Sequence, residues 1–247
     1  MKDPLFRISV VLVEPRQPGN VGAAARAMLN MGLTHLRLVR PCDPLSPEAR
    51  AMAGRAVSLL QEARTFDTLR EAVADQAYVV GTSRRRGKRR EPTFHPREGA
   101  PHILAQAAGS PVALVFGPEE RGLTAEELSL CQNLLLIPAD ERLPSLNLAQ
   151  AVMVVAYELF LAAAATPPPK APTLARSAEL EALFDHMRES LLEVGFLDPQ
   201  NPERVLGALR RMLGRAGLDP EEVRTLRGLF RQLSWYILRK KREGRDG

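Results

Sequence analysis

The feature that most constrains the fold is the stretch from Val112 to Leu161, in which two short apolar runs each end in a turn that contains glycine or proline. The first run is followed by G-P-E-E-R-G-L-T, and the second by P-A-D-E-R-L-P-S-L-N, which leads into a long apolar helix. In open α/β folds, ligands bind at the carboxyl ends of strands, where turns expose backbone groups. The stretch therefore predicts two strand ends and a small-molecule site beside them.

The same alternation of strands and helices runs through the residues before this stretch. β-Branched apolar runs predict strands at residues 8–13, 36–39, 78–81, 112–116 and 134–137. Helical patterns predict helices at residues 21–31, 47–62, 69–74, 97–108, 124–131 and 147–165. This order is typical of an α/β fold with a largely parallel sheet and helices on both faces.

A proline-rich segment, T-P-P-P-K-A-P-T, ends the α/β region because it cannot continue a helix. We therefore expect an α/β domain at residues 1–165, a stiff linker at 166–175 and a small all-helical extension at 176–247. Helices are predicted in the extension at about residues 177–194, 202–216 and 220–242.

Several classes of protein are disfavoured by the composition. The two cysteines form no C-x-x-C motif and the four histidines show no i, i+4 spacing, so neither a metal site nor a disulfide framework is expected. The first residues lack the apolar segment of a signal peptide, and no run of about 18 apolar residues indicates a membrane span. We expect a cytoplasmic protein that does not bind a membrane.

The positive charge is concentrated in one segment. The whole chain carries a net charge of +5. The segment at residues 84–97 alone carries +6, from seven basic residues and the single acid Glu91. The basic residues are Arg84, Arg85, Arg86, Lys88, Arg89, Arg90 and Arg97. The segment follows a predicted strand, so it indicates an acidic partner at the same sheet edge, although a solvated charge run is the simpler interpretation.

Three turns contain residues that could take part in chemistry. The first, from Pro18 to Arg26, matches neither the dinucleotide-binding fingerprint nor the P-loop, and Arg26 also fits an ordinary surface position. The second, from Phe116 to Leu123, places Glu119 and Glu120 after a strand that ends in glycine, which also fits an ordinary βα loop. In the third, from Ile137 to Asn147, Ser145 or Asn147 could cap the helix that follows, and this interpretation is compatible with a functional one.

The three turns together are more specific than any one of them. The patterns P-x-N-x-G-x-x-x-R, F-G-x-E-x-x-G-L and I-P-x(6)-S-L-N occur in this order over residues 6–163. They resemble the three motifs of the SpoU/TrmH branch of the SPOUT superfamily, the S-adenosylmethionine-dependent RNA ribose 2′-O-methyltransferases. The V-V-G-T-S-R-R turn and the helical extension resemble the TrmJ subgroup, which methylates a ribose of tRNA at anticodon-loop position 32.

The resemblance implies a fold and an assembly that residue patterns alone do not predict. The carboxyl-terminal part of the parallel sheet, here about Val112 to Leu161, would form a deep trefoil knot, a feature nearly absent from proteins in general. The family acts as a homodimer in which each subunit completes the site of its neighbour. Helices 21–31 and 147–165 are candidate dimer faces, and they also fit ordinary core helices.

The resemblance also implies where S-adenosyl-L-methionine would bind. Gly117, Ile137, Pro144, Ser145 and Leu146 match family positions that hold it largely through backbone contacts. Thr82, Ser83 and Arg84 match a further turn that contacts the cofactor. Members of the subgroup often have serine where this chain has Pro144, so a side-chain hydrogen bond is not expected there. No metal is expected, because the sulfonium is already a strong methyl donor.

Arg26 matches the catalytic arginine of the family. Because its pKa lies above about 12, a guanidinium is a poor general base, and binding an RNA phosphate or stabilising an alkoxide is an easier role. Asn20, Glu119, Ser145 and Asn147 would orient Arg26, the ribose hydroxyl or the cofactor.

The remaining implied contacts are with RNA. Arg85, Arg86, Lys88, Arg89 and Arg90 would hold the RNA backbone with little sequence preference. The helical extension, which ends in Arg239-Lys240-Lys241-Arg242, would extend the tRNA surface or brace the dimer. Its aromatic residues are expected in the core rather than as base-stacking platforms: Phe184, Phe196, Phe230, Trp235 and Tyr236.

Three alternatives to a tRNA methyltransferase remain open from the sequence. One is the same reaction on ribosomal RNA, and another is a non-catalytic RNA-binding protein on the same scaffold. A nucleotide-binding regulator is the third, and it is disfavoured by the missing phosphate-loop motifs.

Overall fold

The computed structural model describes residues 4–83, 93–165 and 173–243. The chain divides into two compact units, residues 1–172 and residues 173–247. The linker expected at residues 166–175 stays a prediction, because most of it falls outside the described residues.

The first unit is built on a seven-stranded sheet whose strands are all parallel, with the order β3-β2-β1-β6-β4-β7-β5. The strands are β1 (Ile8–Val13), β2 (His35–Val39), β3 (Arg64–Phe66), β4 (Tyr78–Ser83), β5 (Thr93–Phe94), β6 (Val112–Phe116) and β7 (Asn133–Leu136). The predicted parallel α/β sheet is confirmed. The two edge strands β3 and β5 were not predicted, and they have only three and two residues.

In the described part of the first unit, seven helices follow or precede these strands. They are α1 (Pro18–Asn30), α2 (Pro47–Ala53), α3 (Val57–Gln61), α4 (Leu69–Val73), α5 (Pro96–Gly109), α6 (Ala125–Ser129) and α7 (Leu148–Ala165). The single helix predicted at residues 47–62 is wrong. Gly54 adopts a φ of 54° and a ψ of −119°, which ends α2, and a short 3-10 turn leads into α3.

Helices cover both faces of the sheet, as predicted. On one face, Val11 and Val115 of the central strands pack with Leu69 and Val73 of α4. On the other side, α7 contacts both α1 and α5. β1 and β6 lie next to each other in the middle, and every residue of both strands is buried. The trefoil knot stays a prediction.

The small residues of the first turn bring α1 and α2 into close contact. A Cβ atom on Gly22 would lie 2.1 Å from the carbonyl oxygen of Ala49, which belongs to α2. Only glycine therefore fits at this crossing. The G-x-x-G spacing of this turn serves helix packing within the unit.

Between residues 173 and 243, the second unit forms three helices, α8 (Ser177–Glu193), α9 (Glu203–Ala216) and α10 (Pro220–Glu243). Its core includes Leu183 and Met187 of α8, Leu206 of α9 and Phe230 of α10. A partly buried ion pair joins α8 to α9, with Arg210 donating to both carboxylate oxygens of Glu181 at 2.6 and 2.9 Å.

The expectation that the aromatic residues of this unit form its core is correct for two of the five. Phe184 and Phe230 are buried. Phe196, Trp235 and Tyr236 are instead 61%, 56% and 55% exposed, and the expectation is wrong for them. Within the described residues, no helix is long and apolar enough to span a membrane, and no cluster of His, Cys, Asp or Glu is placed to hold a metal ion.

Candidate active site

A cavity of about 320 Å³ lies at the carboxyl edge of the sheet, where the turns after β4, β6 and β7 meet. The structure brings together here every predicted cofactor-binding residue that it describes. They are Thr82, Ser83, Gly117, Ile137, Pro144, Ser145 and Leu146. The eighth, Arg84, lies outside the described residues. The volume falls within the usual range of small-molecule sites, about 300–1,000 Å³.

The wall of the cavity after β6 is a tight loop, residues 117–122, which we call the wall loop. The N–H of Gly122 donates to the carbonyl of Pro118 at 2.9 Å, and Gly122 has a φ of +68°. A Cβ on Gly117 would lie 2.5 Å from backbone atoms of Gly122 and Leu123. The loop therefore needs glycine at both ends, once for close approach and once for a left-handed backbone.

The cavity also has an apolar side that the sequence analysis did not single out. Leu123, Leu128 and Leu148 line it. The last position of the F-G-x-E-x-x-G-L pattern was the available signal for Leu123, whereas nothing in the sequence marked Leu128 or Leu148. An apolar surface next to backbone hydrogen-bonding groups suits a flat, partly polar ligand such as a nucleoside.

Three of the predicted catalytic residues form a hydrogen-bonded chain. The side-chain amide of Asn20 donates to the Glu119 carboxylate at 2.7 Å and to Gln17 at 3.1 Å. The amide of Asn147 donates to the Asn20 side-chain oxygen at 2.9 Å. The side-chain oxygen of Asn147 also accepts from the backbone N–H of Ala149 at 2.9 Å, so Asn147 caps α7 as well. The capping and functional interpretations of Asn147 therefore hold together.

Consecutive residues of the wall loop contact the turn after β1 and the first turn of α1, and we call these contacts the clasp. Glu119 accepts from Asn20, Glu120 pairs with Arg16 at 3.3 Å, and Arg121 pairs with Glu14 at 2.9 Å. The clasp fixes one wall of the cavity against the turn that begins α1. It therefore joins the first motif to the second across about 100 residues of sequence.

Glu14, the clasp residue that pairs with Arg121, has an uncommon backbone conformation, and so does Arg40. Glu14 and Arg40 have φ values of 46° and 43°, in the left-handed region that non-glycine residues rarely adopt. Their side chains form an ion pair, and Arg121 also bonds to Glu14. The hydrogen bonds from Arg40 and Arg121 hold the pKa of Glu14 below its ordinary value. These bonds offset a backbone strain of about 1–2 kcal/mol per residue.

Arg26 does not line the cavity. It borders a separate hollow of about 460 Å³ with Asn30, Met52, Gln150 and Met153. Leu148 and Ala151 of α7 face the cavity, whereas Ala149, Gln150 and Met153 face this hollow, so Arg26 lies on the other side of the first turns of α7. Within the described residues, its guanidinium makes no hydrogen bond or ion pair with Asn20, Glu119, Ser145 or Asn147.

Exposed apolar side chains occur on α1 and α7, which line the Arg26 hollow, and one of them, Val154, lines the hollow itself. Leu29 of α1 is 38% exposed, and the exposed residues of α7 are Val154, Tyr157, Phe160 and Leu161, each between 36% and 47% exposed. An apolar surface shared by two neighbouring helices is typical of a protein–protein contact.

The predicted RNA-binding residues Arg85, Arg86, Lys88, Arg89 and Arg90 lie outside the described residues. Arg97, the seventh basic residue of that segment, pairs with Glu158 of α7 at 3.1 Å. Its charge is therefore matched within the first unit, and it contributes less to the local positive potential than the sequence indicated.

Comparison with known proteins gives matches over both units. The sequence pattern of the SpoU rRNA Methylase family matches residues 7–157, and that of the TrmJ C-terminal domain of tRNA methyltransferases matches residues 178–246. The chain is 43% identical to the tRNA (cytidine/uridine/adenosine-2′-O-)-methyltransferase TrmJ of Pseudomonas aeruginosa (strain UCBPP-PA14) over 92% of this chain and 93% of that protein.

Two further comparisons agree with these matches. The tRNA (cytidine/uridine-2′-O-)-methyltransferase TrmJ of Escherichia coli (strain K12) is 40% identical over 92% of this chain and 94% of that protein. The crystal structure of TrmJ from Z. mobilis ZM4 superposes with a TM-score of 0.80 at 37% identity, covering 92% of this chain and 98% of that one.

Proposed function

The chain belongs to the SpoU rRNA Methylase family, and from that premise we propose that it transfers a methyl group from S-adenosyl-L-methionine to a ribose 2′-hydroxyl of tRNA. The observation that carries this proposal is similarity over both units to proteins named as tRNA 2′-O-methyltransferases, including the carboxyl-terminal domain that bears their name. A cytidine or uridine at anticodon-loop position 32 is the substrate that the sequence resemblance favours. The cytoplasm is the expected location.

The residues around the cavity fit the proposed cofactor. Leu123, Leu128 and Leu148 offer an apolar surface for the adenine, and the turns at residues 137 and 144–146 bring backbone groups to the same space. Glu119 and Glu120 also line the cavity, and their carboxylates suit a cationic ligand. When bound there, S-adenosyl-L-methionine supplies an electrophilic methyl group on its sulfonium.

We propose that the enzyme is a homodimer in which Arg26 serves the cavity of the other subunit. Within one chain, Arg26 and the cavity lie on different sides of α7. The exposed apolar residues around Arg26 give a second copy a surface to cover. Two copies that pair through this surface would each contribute to a shared site, the cavity from one subunit and Arg26 from the other.

The role proposed for Arg26 is electrostatic. A guanidinium stays charged at neutral pH, so it binds a neighbouring RNA phosphate and stabilises the oxygen that becomes negative as the 2′-hydroxyl loses its proton. The proton passes to phosphate or water. The hydrogen-bonded chain Asn147–Asn20–Glu119 keeps α1, the wall loop and the start of α7 in fixed relative positions, so these residues act by positioning.

The central test is incorporation of labelled methyl groups into purified tRNA and ribosomal RNA, followed by mapping of the modified nucleotide. Methylation of tRNA at position 32 supports the proposal. The family description favours ribosomal RNA as the second candidate, and methylation of that pool alone would transfer the proposal to it. Cofactor binding without turnover on either pool contradicts an enzymatic function.

Mixed dimers test whether Arg26 acts across subunits. Arg26→Ala and a cavity variant, Gly117→Val, are each expected to be inactive. In a one-to-one mixture, half of the dimers are mixed and each has one intact site, so about one quarter of the wild-type activity returns. Arg26→Ala alone should bind S-adenosyl-L-methionine within about twofold of the wild type. No recovered activity in the mixture indicates that Arg26 acts within its own chain.

A further inference from the structure

Helix α10 carries a row of basic residues on one exposed face. Arg224, Arg227, Arg231, Trp235 and Arg239 are separated by three or four residues, so they follow one side of the helix. All five side chains are exposed. We call this row the basic stripe. At 1.5 Å per residue it extends for about 22 Å.

The opposite side of α10 is the side that packs. Val223 and Phe230 are buried in the core of the second unit, and Leu226 and Leu233 pack against the same core. The stripe therefore faces away from the core that holds the helix in place. Packing of the opposite side fixes the helix that bears these arginines.

Few acids on its own helix balance the stripe. No aspartate or glutamate occurs between residues 223 and 242, and the acids of α10 lie at its two ends, Glu221 and Glu222 in the first turn and Glu243 at the last residue. Arg227 and Arg231 make no ion pair with any residue that the structure describes. Other arginines of the second unit do: Arg210 binds Glu181, and Arg188 binds Glu203.

The stripe also includes an aromatic ring at its carboxyl-terminal end. Trp235 is 56% exposed, and the guanidinium of Arg239 lies 5.6 Å from its ring centroid. An exposed tryptophan within a row of arginines is typical of surfaces that hold a phosphate backbone and stack on an unpaired base. A second copy of the same stripe is a poor partner, because like charges would face each other.

We infer that the basic stripe of α10 binds the phosphate backbone of the RNA substrate, with Trp235 stacking on an unpaired base. This inference rests on the proposed function for the identity of the RNA, and it adds a contact surface outside the cavity and outside the basic segment at residues 84–90. Lys240, Lys241 and Arg242 continue the sequence, and their side chains lie outside the described residues.

The test measures binding of unmodified tRNA to the full chain over a range of salt concentrations. The variant replaces Arg224, Arg227 and Arg231 with glutamine. Each lost phosphate contact should reduce the slope of log K against log salt by about 0.7–0.9, so the slope should fall by about 2–3. Affinity near physiological salt should fall at least tenfold, and the effect on turnover should appear in the KM for tRNA rather than in kcat.

A control variant separates the stripe from net charge. It replaces Arg188, Arg204 and Arg215, which lie on α8 and α9, with glutamine, and so removes the same number of charges. A smaller change in slope and affinity than in the stripe variant supports the inference. An equal change in both variants, an unchanged slope in the stripe variant or loss of its oligomeric state would overturn it.

Trp235 is tested separately with a single-stranded oligonucleotide and a duplex of the same length. Trp235→Ala should weaken binding of the single strand by about tenfold and leave the duplex nearly unaffected, and Trp235→Phe should retain most of the affinity. Equal losses on both ligands would refute the stacking role.

The outcomes separate this inference from the proposed function. If the wild type binds tRNA with a stripe-dependent salt slope but methylates nothing, the stripe is supported and the enzymatic proposal fails. If the stripe variant methylates tRNA with an unchanged KM, the enzymatic proposal stands and the stripe inference fails. If the wild type binds no RNA, both fail.

Discussion

Replacing Gly117 with alanine tests whether the wall loop sets the affinity for the cofactor. The added Cβ would lie 2.5 Å from the carbonyl carbon of Gly122 and from the amide nitrogen of Leu123, and 3.0 Å from the Gly122 Cα. These are backbone atoms, so no side-chain rotation relieves the contact. Ordinary contacts begin near 3.4 Å. The far side of the loop must therefore move by about 1 Å.

The magnitude follows from what that movement changes. Overpacking of this kind costs about 1–3 kcal/mol of folding stability. Gly122 and Leu123 also line the cavity, and the clasp is attached to Glu119, Glu120 and Arg121 in the same loop. If about 1.4 kcal/mol of the cost appears in the bound state, the affinity for S-adenosyl-L-methionine falls about tenfold.

The assay combines calorimetric titration with S-adenosyl-L-methionine and thermal unfolding of the unbound protein. Gly207→Ala is the matched control, because a Cβ there meets only a side-chain atom of Arg211 at 3.6 Å and α9 should gain up to about 1 kcal/mol in stability. We expect weakened cofactor binding in Gly117→Ala and unchanged binding in Gly207→Ala. A Gly117→Ala protein that binds the cofactor within twofold of the wild type would refute the role assigned to the wall loop.

Three further predictions concern other contacts. Gly22→Ala should lower the midpoint of thermal unfolding by about 5–10 °C, because its Cβ would meet the backbone oxygen of Ala49 at 2.1 Å; an unchanged midpoint would show that α1 and α2 separate freely. Reversing the charge of Arg16 or Glu120 alone should weaken cofactor binding by up to about fivefold. Reversing both should recover only part of the loss, because a positive charge at residue 120 then lines the cavity. Additive losses in the double variant would exclude a direct pair. Partial burial acts to raise the pKa of Asp75, but hydrogen bonds from Arg37 and Gln76 and the charge of Arg37 lower it from 3.8 to about 2. Asp75 therefore contributes about 1 kcal/mol to the free energy of unfolding above pH 4, and this contribution is lost as the pH falls towards 2. Acid unfolding of Asp75→Asn should lack that loss.

The central sheet could be predicted from the sequence because its strands are buried on both faces. Ile8–Val13 and Val112–Phe116 are continuous apolar runs, and the predicted bounds of both strands are confirmed. β3 could not be found in this way, because Arg64 and Thr65 are exposed and only Phe66 packs inward. The break at Gly54 was also missed, since a single glycine within an apolar helical pattern is usually tolerated.

The candidate site was predictable in its parts but not in its connections. Turns rich in glycine and proline marked the strand ends, and the family resemblance assigned residues to them. The contact of Asn20 with Glu119 spans 99 positions and that of Asn147 with Asn20 spans 127, and no local pattern encodes such pairs. The exposure of Trp235 was missed for a related reason: a tryptophan among apolar residues gives no indication of which side of the helix packs.

The position of β6 between β1 and β4 has a consequence for how the chain folds during synthesis. β6 pairs with both neighbours, so the edges of β1 and β4 have no partner in the centre of the sheet until Val112–Phe116 leaves the ribosome. At about 5–20 residues per second, the edge of β1 stays without this partner for about 5–20 s. Such non-local pairing slows folding and exposes the nascent chain to aggregation. The strand that carries the cavity wall is therefore also the one whose arrival closes the sheet.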